Sequence, residues 1–406
     1  MMQFSKIGNV KGGYFFLLNV LFISFAFPSP PLTNIVLFTT LAVAIVSTLK
    51  SRNLKKKSFT RKKYVVISAL IFVSAFLSGL INNENLLDSQ VTKNLFFLAI
   101  PLLFFLGPKI NYKQKQLILR NFVISVFIFS LLGVFKIITL YILDTENKLF
   151  YESFSNVLKI HSTYFALLVV LAFIVSIVRI FKERKAFHFK YIFISFYFLI
   201  ILFLLSSRIS FVAITLILLV VLIDQVILKK RKKAVFFFAG VVVCVSIFIF
   251  SGYFGTRINN LTQENEANRS DIENREVLWE SVFCAIENSP SQIFGAGLKK
   301  SQDIINSCYS KNGFFGAELN YNAHNQYLQT LLEKGLLGLL FLLLLMGYLL
   351  FRGFRKKDVL LILTIITFFV FFITESILER QLGIMLFVSF NTMLIFNNNR
   401  DEPNLV

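Results

Sequence analysis

The sequence predicts an all-α polytopic membrane protein of about twelve transmembrane helices with one large periplasmic loop. Three observations lead there. Apolar residues make up 56% of the 406 residues and charged residues 16%, with 50 Phe and 7 Pro and a mean hydropathy of +0.71; a typical soluble chain carries about 25% charged residues. Apolar runs long enough to span a bilayer, about 20 residues or somewhat fewer when the ends are anchored, recur from end to end with no gap the size of a soluble domain. Lys and Arg crowd onto alternate connections between these runs. Together these exclude the soluble-enzyme classes.

The spans are read at roughly 12–27, 32–49, 64–81, 91–107, 121–143, 161–180, 191–205, 209–228, 234–252, 325–351, 359–374 and 381–397. The first follows Lys6 and Lys11 as the apolar stretch of a signal peptide would. It closes on Pro28-Ser29-Pro30-Pro31 rather than a small-residue cleavage site, and is read as a helix. With the N-terminus inside, 29 of the 42 Lys and Arg fall on cytoplasmic segments, led by the run from Lys50 to Lys63 and that from Lys229 to Lys233. Eleven fall on the opposite side, and Lys136 and Lys334 lie within spans. That excess is the positive-inside bias. The net charge of +20 is therefore a topology signal, and no nucleic-acid partner is expected. The chain divides into residues 1–252 with nine spans, the periplasmic loop 253–323, and 324–406 with the last three spans and a short cytoplasmic tail.

The loop is the one long connection, and loops of that length are usually functional. It carries nine acids against six bases, and two of the three cysteines, Cys284 and Cys308. On an oxidising face that pair forms either a disulfide or two free thiols. Gly295-Ala296-Gly297 before Lys299-Lys300 has the outline of a phosphate loop, but a lone Gly-x-Gly is weak and a turn is the better reading. The chain has three His, no Cys-x-x-Cys or His-x-x-x-His spacing and no Walker-type Lys-Ser/Thr pair. No metal site is expected, and ATP-driven transport lacks support.

Ionisable groups at membrane depth are costly and each raises the question of function. Lys136, two-thirds along its helix, either snorkels or lines a cavity. In His324-Asn325-Gln326-Tyr327-Leu328-Gln329-Thr330-Leu331-Leu332-Glu333-Lys334-Gly335 the polar Gln326, Gln329, Thr330 and Glu333 share one stripe, which faces a cavity or a neighbouring helix rather than lipid. Gly335 and Gly338 allow close helix approach. Arg208, after Ser206-Ser207, and the charged connection Glu375-Ser376-Ile377-Leu378-Glu379-Arg380-Gln381 stand at the outer boundary. His161, Arg208, His324 and Arg380 each sit at or just before the N-terminus of a helix entering from outside. Such termini carry positive partial charge and free N–H groups, so a cavity among them attracts an anion and favours the neutral, proton-accepting form of His324.

Ser206-Ser207-Arg208, the run from Arg275 through Trp279 to Pro290 and Phe294-Gly295-Ala296-Gly297, and His324-Asn325-x-Tyr327-Leu328 with Glu333-x-Gly335-x-x-Gly338 together resemble an O-antigen ligase. That superfamily also holds O-antigen polymerases and some protein O-oligosaccharyltransferases. The motifs cover roughly residues 200–350, and the layout of spans with one late large loop extends the match. His161-Ser162-Thr163-Tyr164 and the 375–381 stretch resemble Bacteroidetes-type members. The resemblance implies a metal-independent transferase of the bacterial inner membrane, without cofactor, whose active site faces the periplasm. Its donor is a glycan on undecaprenyl diphosphate and its acceptor a sugar hydroxyl, in a ligase on the lipid A core, or another glycan. It implies that Arg208 and Arg275 bind the diphosphate and that His324 is the catalytic base. Arg380, Gln326, Glu333 and His161 are taken as further substrate-binding candidates. A polymerase would pass the same donor to another lipid-linked repeat. A transporter or flippase for a lipid-linked sugar would show paired broken helices or internal repeats, and no convincing repeat is seen.

Overall fold

The computed structural model describes residues 10–27, 29–51, 59–143, 152–182, 188–205, 207–228 and 271–396, and no strand occurs among them. In lipid the backbone must satisfy its own N–H and C=O groups, which a helix does within one segment. The apolar runs accordingly form α1 (Val10–Ser24), α2 (Pro30–Ser51), α3 (Phe59–Ile81), α4 (Ser89–Leu106) and α5 (Tyr112–Ile142). The short α6 (Glu152–Leu158) is followed by α7 (Ser162–Lys182), α8 (His188–Leu204) and α9 (Arg208–Leu222). Two loop helices, α10 (Asp271–Glu287) and α11 (Lys300–Lys311), precede α12 (Gln326–Lys356), α13 (Val359–Thr374) and α14 (Gln381–Phe396). Among the described residues, seven stretches are long and apolar enough to cross a membrane: Pro30–Lys50, Phe59–Ile81, Ser89–Leu106, Tyr112–Ile142, Ser162–Phe181, Arg208–Val226 and Gln326–Lys356. Val10–Ser24, Phe189–Leu204, Val359–Thr374 and Gln381–Phe396 are apolar but shorter. The expected span 234–252 lies outside the described residues.

Local chemistry sets several boundaries. α5 starts at Tyr112, well ahead of the expected 121, because Asn111 and Gln114 form a reciprocal capping box that carries the helix through a polar first turn. α13 begins where the Asp358 side chain accepts the Leu361 N–H at 3.2 Å. α12 ends on Arg355, Lys356 and a left-handed Lys357, cations at the negative end of the helix dipole.

α7 is the central column. Of its Ser162–Phe181 stretch 89% is buried, against 33% for the corresponding windows of α2, α5 and α9, and α5, α8, α9 and α13 pack around it. Exposed Phe135, Leu219 and Leu340 belong to an apolar exterior of the kind a bilayer covers. The helices alternate in direction. At one end Lys115 lies 4.0 Å from Asp358, Tyr348 donates to the Thr60 carbonyl at 3.2 Å, and Arg179 at the end of α7 bonds Tyr191 near the start of α8. At the other end Lys93 meets Glu379 at 3.3 Å and Tyr164 donates to the Ser376 carbonyl at 3.2 Å.

Residues 271–323 form a small helical unit at this second end. Cys284 on α10 and Cys308 on α11 are joined in a disulfide, so of the two states the sequence allowed the pair is bonded. A satellite core of Leu278, Val282, Ala285, Ile305, Tyr309 and Phe314 fills the space between the helices.

α12 departs from expectation. The apolar run reads as one uninterrupted helix, yet Gly335 has φ 64° and ψ −167°, and the helix is broken there. The break is filled by loop backbone. Ala296 and Gly297 donate to the carbonyls of Leu332 and Glu333 at 2.8 and 3.2 Å, and Leu336 and Leu337 donate to those of Gln292 and Ile293 at 2.9 and 3.1 Å. The Ser78 hydroxyl adds a bond to the Glu333 carbonyl at 2.6 Å. Gly295-Ala296-Gly297 is thus a turn, as expected, but one built into a membrane helix. Gly335 serves close approach of this loop rather than of a second helix: a Cβ there would lie 2.3 Å from the Ile293 carbonyl oxygen.

Candidate functional site

The segment ahead of α12 is bent so that one imidazole is held half-buried at the surface. His324 has φ 41°, and its N–H is taken by the Asn322 side chain at 3.0 Å. Asn325 caps the helix by accepting from the N–H groups of Tyr327 and Leu328. The His324 Nδ1 lies 3.3 Å from Glu375 Oε2, with the two side chains 30% and 18% exposed. A second Glu375 oxygen accepts the Thr163 hydroxyl at 3.4 Å.

Around this pair stand His161 and Arg380. Their charges and those of Glu375 and His324 act on one another, and the Arg380 guanidinium sits 5.5 Å over the Tyr164 ring. Burial holds His161 below the usual imidazole range; Glu375 opposes that shift, while Arg380 and His324 reinforce it. His161 is therefore neutral at pH 7. The starts of α7, α12 and α14 and the end of α13 thus converge on one mouth. The sequence singled out His161, His324 and Arg380 from their places before helix N-termini, and the fold brings all three together. Glu375 was noted only as part of a charged connection. No local pattern marks it as the partner of His324, because that contact depends on how α12 packs against α13.

Below the mouth lies a buried polar layer. Gln326 is committed at both ends of its amide, accepting the Leu378 N–H at 2.6 Å and donating to Thr330 at 3.0 Å. Gln329 takes the Ala323 N–H at 2.9 Å and donates to Glu333 at 2.9 Å. The polar stripe of α12 therefore faces its neighbours. Glu333 is 1% exposed, lies 3.8 Å from Lys334 and stands close enough to the Glu379 carboxyl for the two to act on each other electrostatically. Lys334 donates to Asn94 at 2.9 Å. Burial would raise the Glu379 carboxyl, but the ammonium groups of Lys93 and Lys334 outweigh it and hold it below the usual range.

The turn that fills the α12 break is itself clamped. Glu84, between α3 and α4, accepts the N–H groups of Leu298, Lys299 and Lys300 at 2.9, 2.8 and 2.9 Å. The phosphate-loop outline noted in the sequence is a real cradle of backbone donors, and a carboxylate of the same chain occupies it. Gly297 has φ 94°, and a Cβ on it would meet Glu84 at 2.5 Å.

Arg208 is the first residue of α9 and is exposed. The α7–α8 hairpin is antiparallel, so α8 returns to the end of the bundle that holds His161, and α9 starts there. α9 packs on α13 and α7, the helices that lead to Glu375 and from His161. Arg275 lies in the first half of α10, a helix packed against α12. Lys136 is on the exposed face of α5, where a long amine snorkels, and lines no internal cavity.

No curated protein matches the chain. Residues 193–343, a stretch running from α8 and Arg208 through the loop helices to His324 and the broken part of α12, match a family model described as O-antigen ligase, so over this part of its length the chain is similar to that family.

Proposed function

We propose that this multi-pass membrane protein is an O-antigen ligase-type transferase of the bacterial inner membrane. It moves a glycan from undecaprenyl diphosphate to a sugar hydroxyl of the lipid A core, at the periplasmic face. The single observation that carries the reading is the His324–Glu375 pair at a mouth where three helix N-termini meet. A sugar hydroxyl has a pKa far above 7 and needs a positioned base. Glu375 on Nδ1 fixes the imidazole tautomer and leaves Nε2 turned toward substrate, and it stabilises the imidazolium that forms. The acceptor oxygen bonds to the anomeric carbon, the bond from that carbon to the diphosphate oxygen breaks, and the hydroxyl proton passes to His324. Attack from the opposite face inverts the centre.

The leaving group is an anion whose charge grows in the transition state. Arg208 and Arg275, with Arg380 and the helix N-termini at the mouth, stabilise it there more than in the ground state. Gln326 and Glu333, buried and engaged, act through the walls they hold; His161 lines the mouth as a neutral donor or acceptor. The periplasmic assignment is supported by the charge bias of the connections and by the Cys284–Cys308 disulfide, which belongs to an oxidising compartment. Twelve spans with the loop 253–323 outside is the layout consistent with both.

The test is the surface glycan of cells lacking the protein, re-expressing wild type, His324→Ala or Glu375→Gln. The expected result without wild type or with His324→Ala is full-length glycan left on undecaprenyl diphosphate and bare lipid A core, with Glu375→Gln reduced by roughly 10²-fold or more. Core capped by single repeats would identify a polymerase, donor trapped on the cytoplasmic face a transporter. Near-normal transfer by His324→Ala would sink the base assignment.

A further inference from the structure

We propose that residues 314–325 form a saccharide subsite that seats the acceptor sugar beside His324; the assignment rests on the reading of His324 as the base. A ladder of rings leads away from the imidazole. Tyr321 lies 5.4 Å from His324 at 69°, and Phe315 lies 5.7 Å from Tyr321 at 74°. Phe314 backs both, 4.6 Å from Phe315 and 6.3 Å from Tyr321, and is itself anchored 5.1 Å from Tyr309 in the satellite core. The outermost ring is not spent on packing: Phe315 is 47% exposed, and Leu319 beside it 58%.

Amides run alongside the rings. Asn320, exposed and held at φ 52°, accepts from Asn306 at 2.8 Å, which in turn accepts from Gln302 at 2.9 Å. Asn322 buttresses the His324 backbone. Residues 319–326 contain no Asp, Glu, Lys or Arg.

This composition selects its ligand. A pyranose has a weakly positive C–H face, which lies on the negative face of an aromatic ring, and a rim of hydroxyls, which planar amides meet as both donors and acceptors. A diphosphate seeks guanidinium groups and helix N-termini, and this strip offers no cation beyond the histidine. An acyl chain gains nothing from amides placed between the rings. The strip ends at the base, so a sugar stacked on the face of Phe315, with the Tyr321 ring turned 74° as a side wall, carries its hydroxyl toward His324.

The experiment uses the full chain in nanodiscs and the core oligosaccharide released by mild acid from cells lacking the protein. Binding is read by saturation-transfer difference NMR and transfer by acceptor kinetics. Phe315→Leu keeps an apolar surface but removes the ring face; Phe315→Trp keeps the face. The expected result is saturation concentrated on one pyranose face, falling about fivefold or more in Phe315→Leu and retained in Phe315→Trp. The KM for acceptor should rise about tenfold in Phe315→Leu with kcat within about twofold, the signature of lost ground-state binding. Equal saturation in wild type and Phe315→Leu overturns the subsite, including the case in which Phe315 faces lipid. If that result comes with transfer still abolished in His324→Ala, the transferase reading stands without it. Ring-dependent saturation in a wild-type protein that transfers nothing keeps the subsite and overturns the transferase reading.

Discussion

Replacing Gly335 by Ala tests whether loop backbone holds the break in α12. The φ of 64° and ψ of −167° belong to a region that is nearly glycine-only and costs about 1–3 kcal/mol for other residues. The new Cβ would also lie 2.3 Å from the Ile293 oxygen and 2.6 Å from the Gly295 nitrogen. These are backbone atoms with no rotamer to yield, so the loop must leave the break. It then gives up the four bonds made by Ala296, Gly297, Leu336 and Leu337. At about 1 kcal/mol each, local opening becomes easier by roughly 4 kcal/mol, or about 10³-fold in exchange rate. The assay is hydrogen exchange by mass spectrometry on peptides covering residues 292–300 and 332–340. Gly347→Ala is the control, since its Cβ meets nothing within 4 Å and a mid-helix alanine gains up to about 1 kcal/mol. Wild-type protection of those four amides in Gly335→Ala would refute the reasoning.

Other consequences can be measured alongside. Lys93→Met leaves Glu379 beside Glu333 without its nearest cation; a loss of about 3 kcal/mol is expected, largely recovered in Lys93→Met with Glu379→Gln, as read by thermal melts in detergent. Opening the Cys284–Cys308 bridge, whose ends are 24 residues apart, should cost about 3.5 kcal/mol in the chain-entropy account, seen as a lower melting point for the Cys284→Ser, Cys308→Ser variant. His161, held below its unfolded value of 6.5, takes up protons more readily when unfolded. Its contribution to stability is therefore present above pH 6.5 and lost as pH falls toward the folded value. The drop in melting temperature from pH 7 to pH 5 should be smaller in His161→Gln; an unchanged drop would mean the imidazole is already free to protonate in the fold.

The membrane helices were legible because the requirement that lipid imposes is local: each apolar run closes its own hydrogen bonds, and hydropathy reads it directly. The placing of His161, His324 and Arg380 at one mouth was legible in part, since alternation across the bilayer puts their helix starts at the same end. Three things were not. The pairing of His324 with Glu375 crosses 51 positions and is fixed by packing between α12 and α13. The break at Gly335 hides inside an apolar average, and its hydrogen-bond partners lie some forty residues upstream. Gln326 and Glu333 looked available for substrate from their shared face, but the stripe says only that something polar lies opposite. Here that is the Leu378 N–H and the Glu379 carboxyl.

The turn in the α12 break also changes what the outer loop is. Gly297 is bonded to Glu333, and the chain returns to the same helix at Asn325, only about 12 Å away along its axis. The excursion between them therefore stands with both feet on two turns of one rod, beside His324, and is steadied from the side by the Cys284–Cys308 bridge. Lengthening or exchanging it need not disturb the bundle, and doubling its length costs about 0.6 kcal/mol in closure entropy. Its outer turns can therefore lengthen or change while the break in α12 and the bundle beneath it stay as they are, much as a tool changes bits in a fixed chuck.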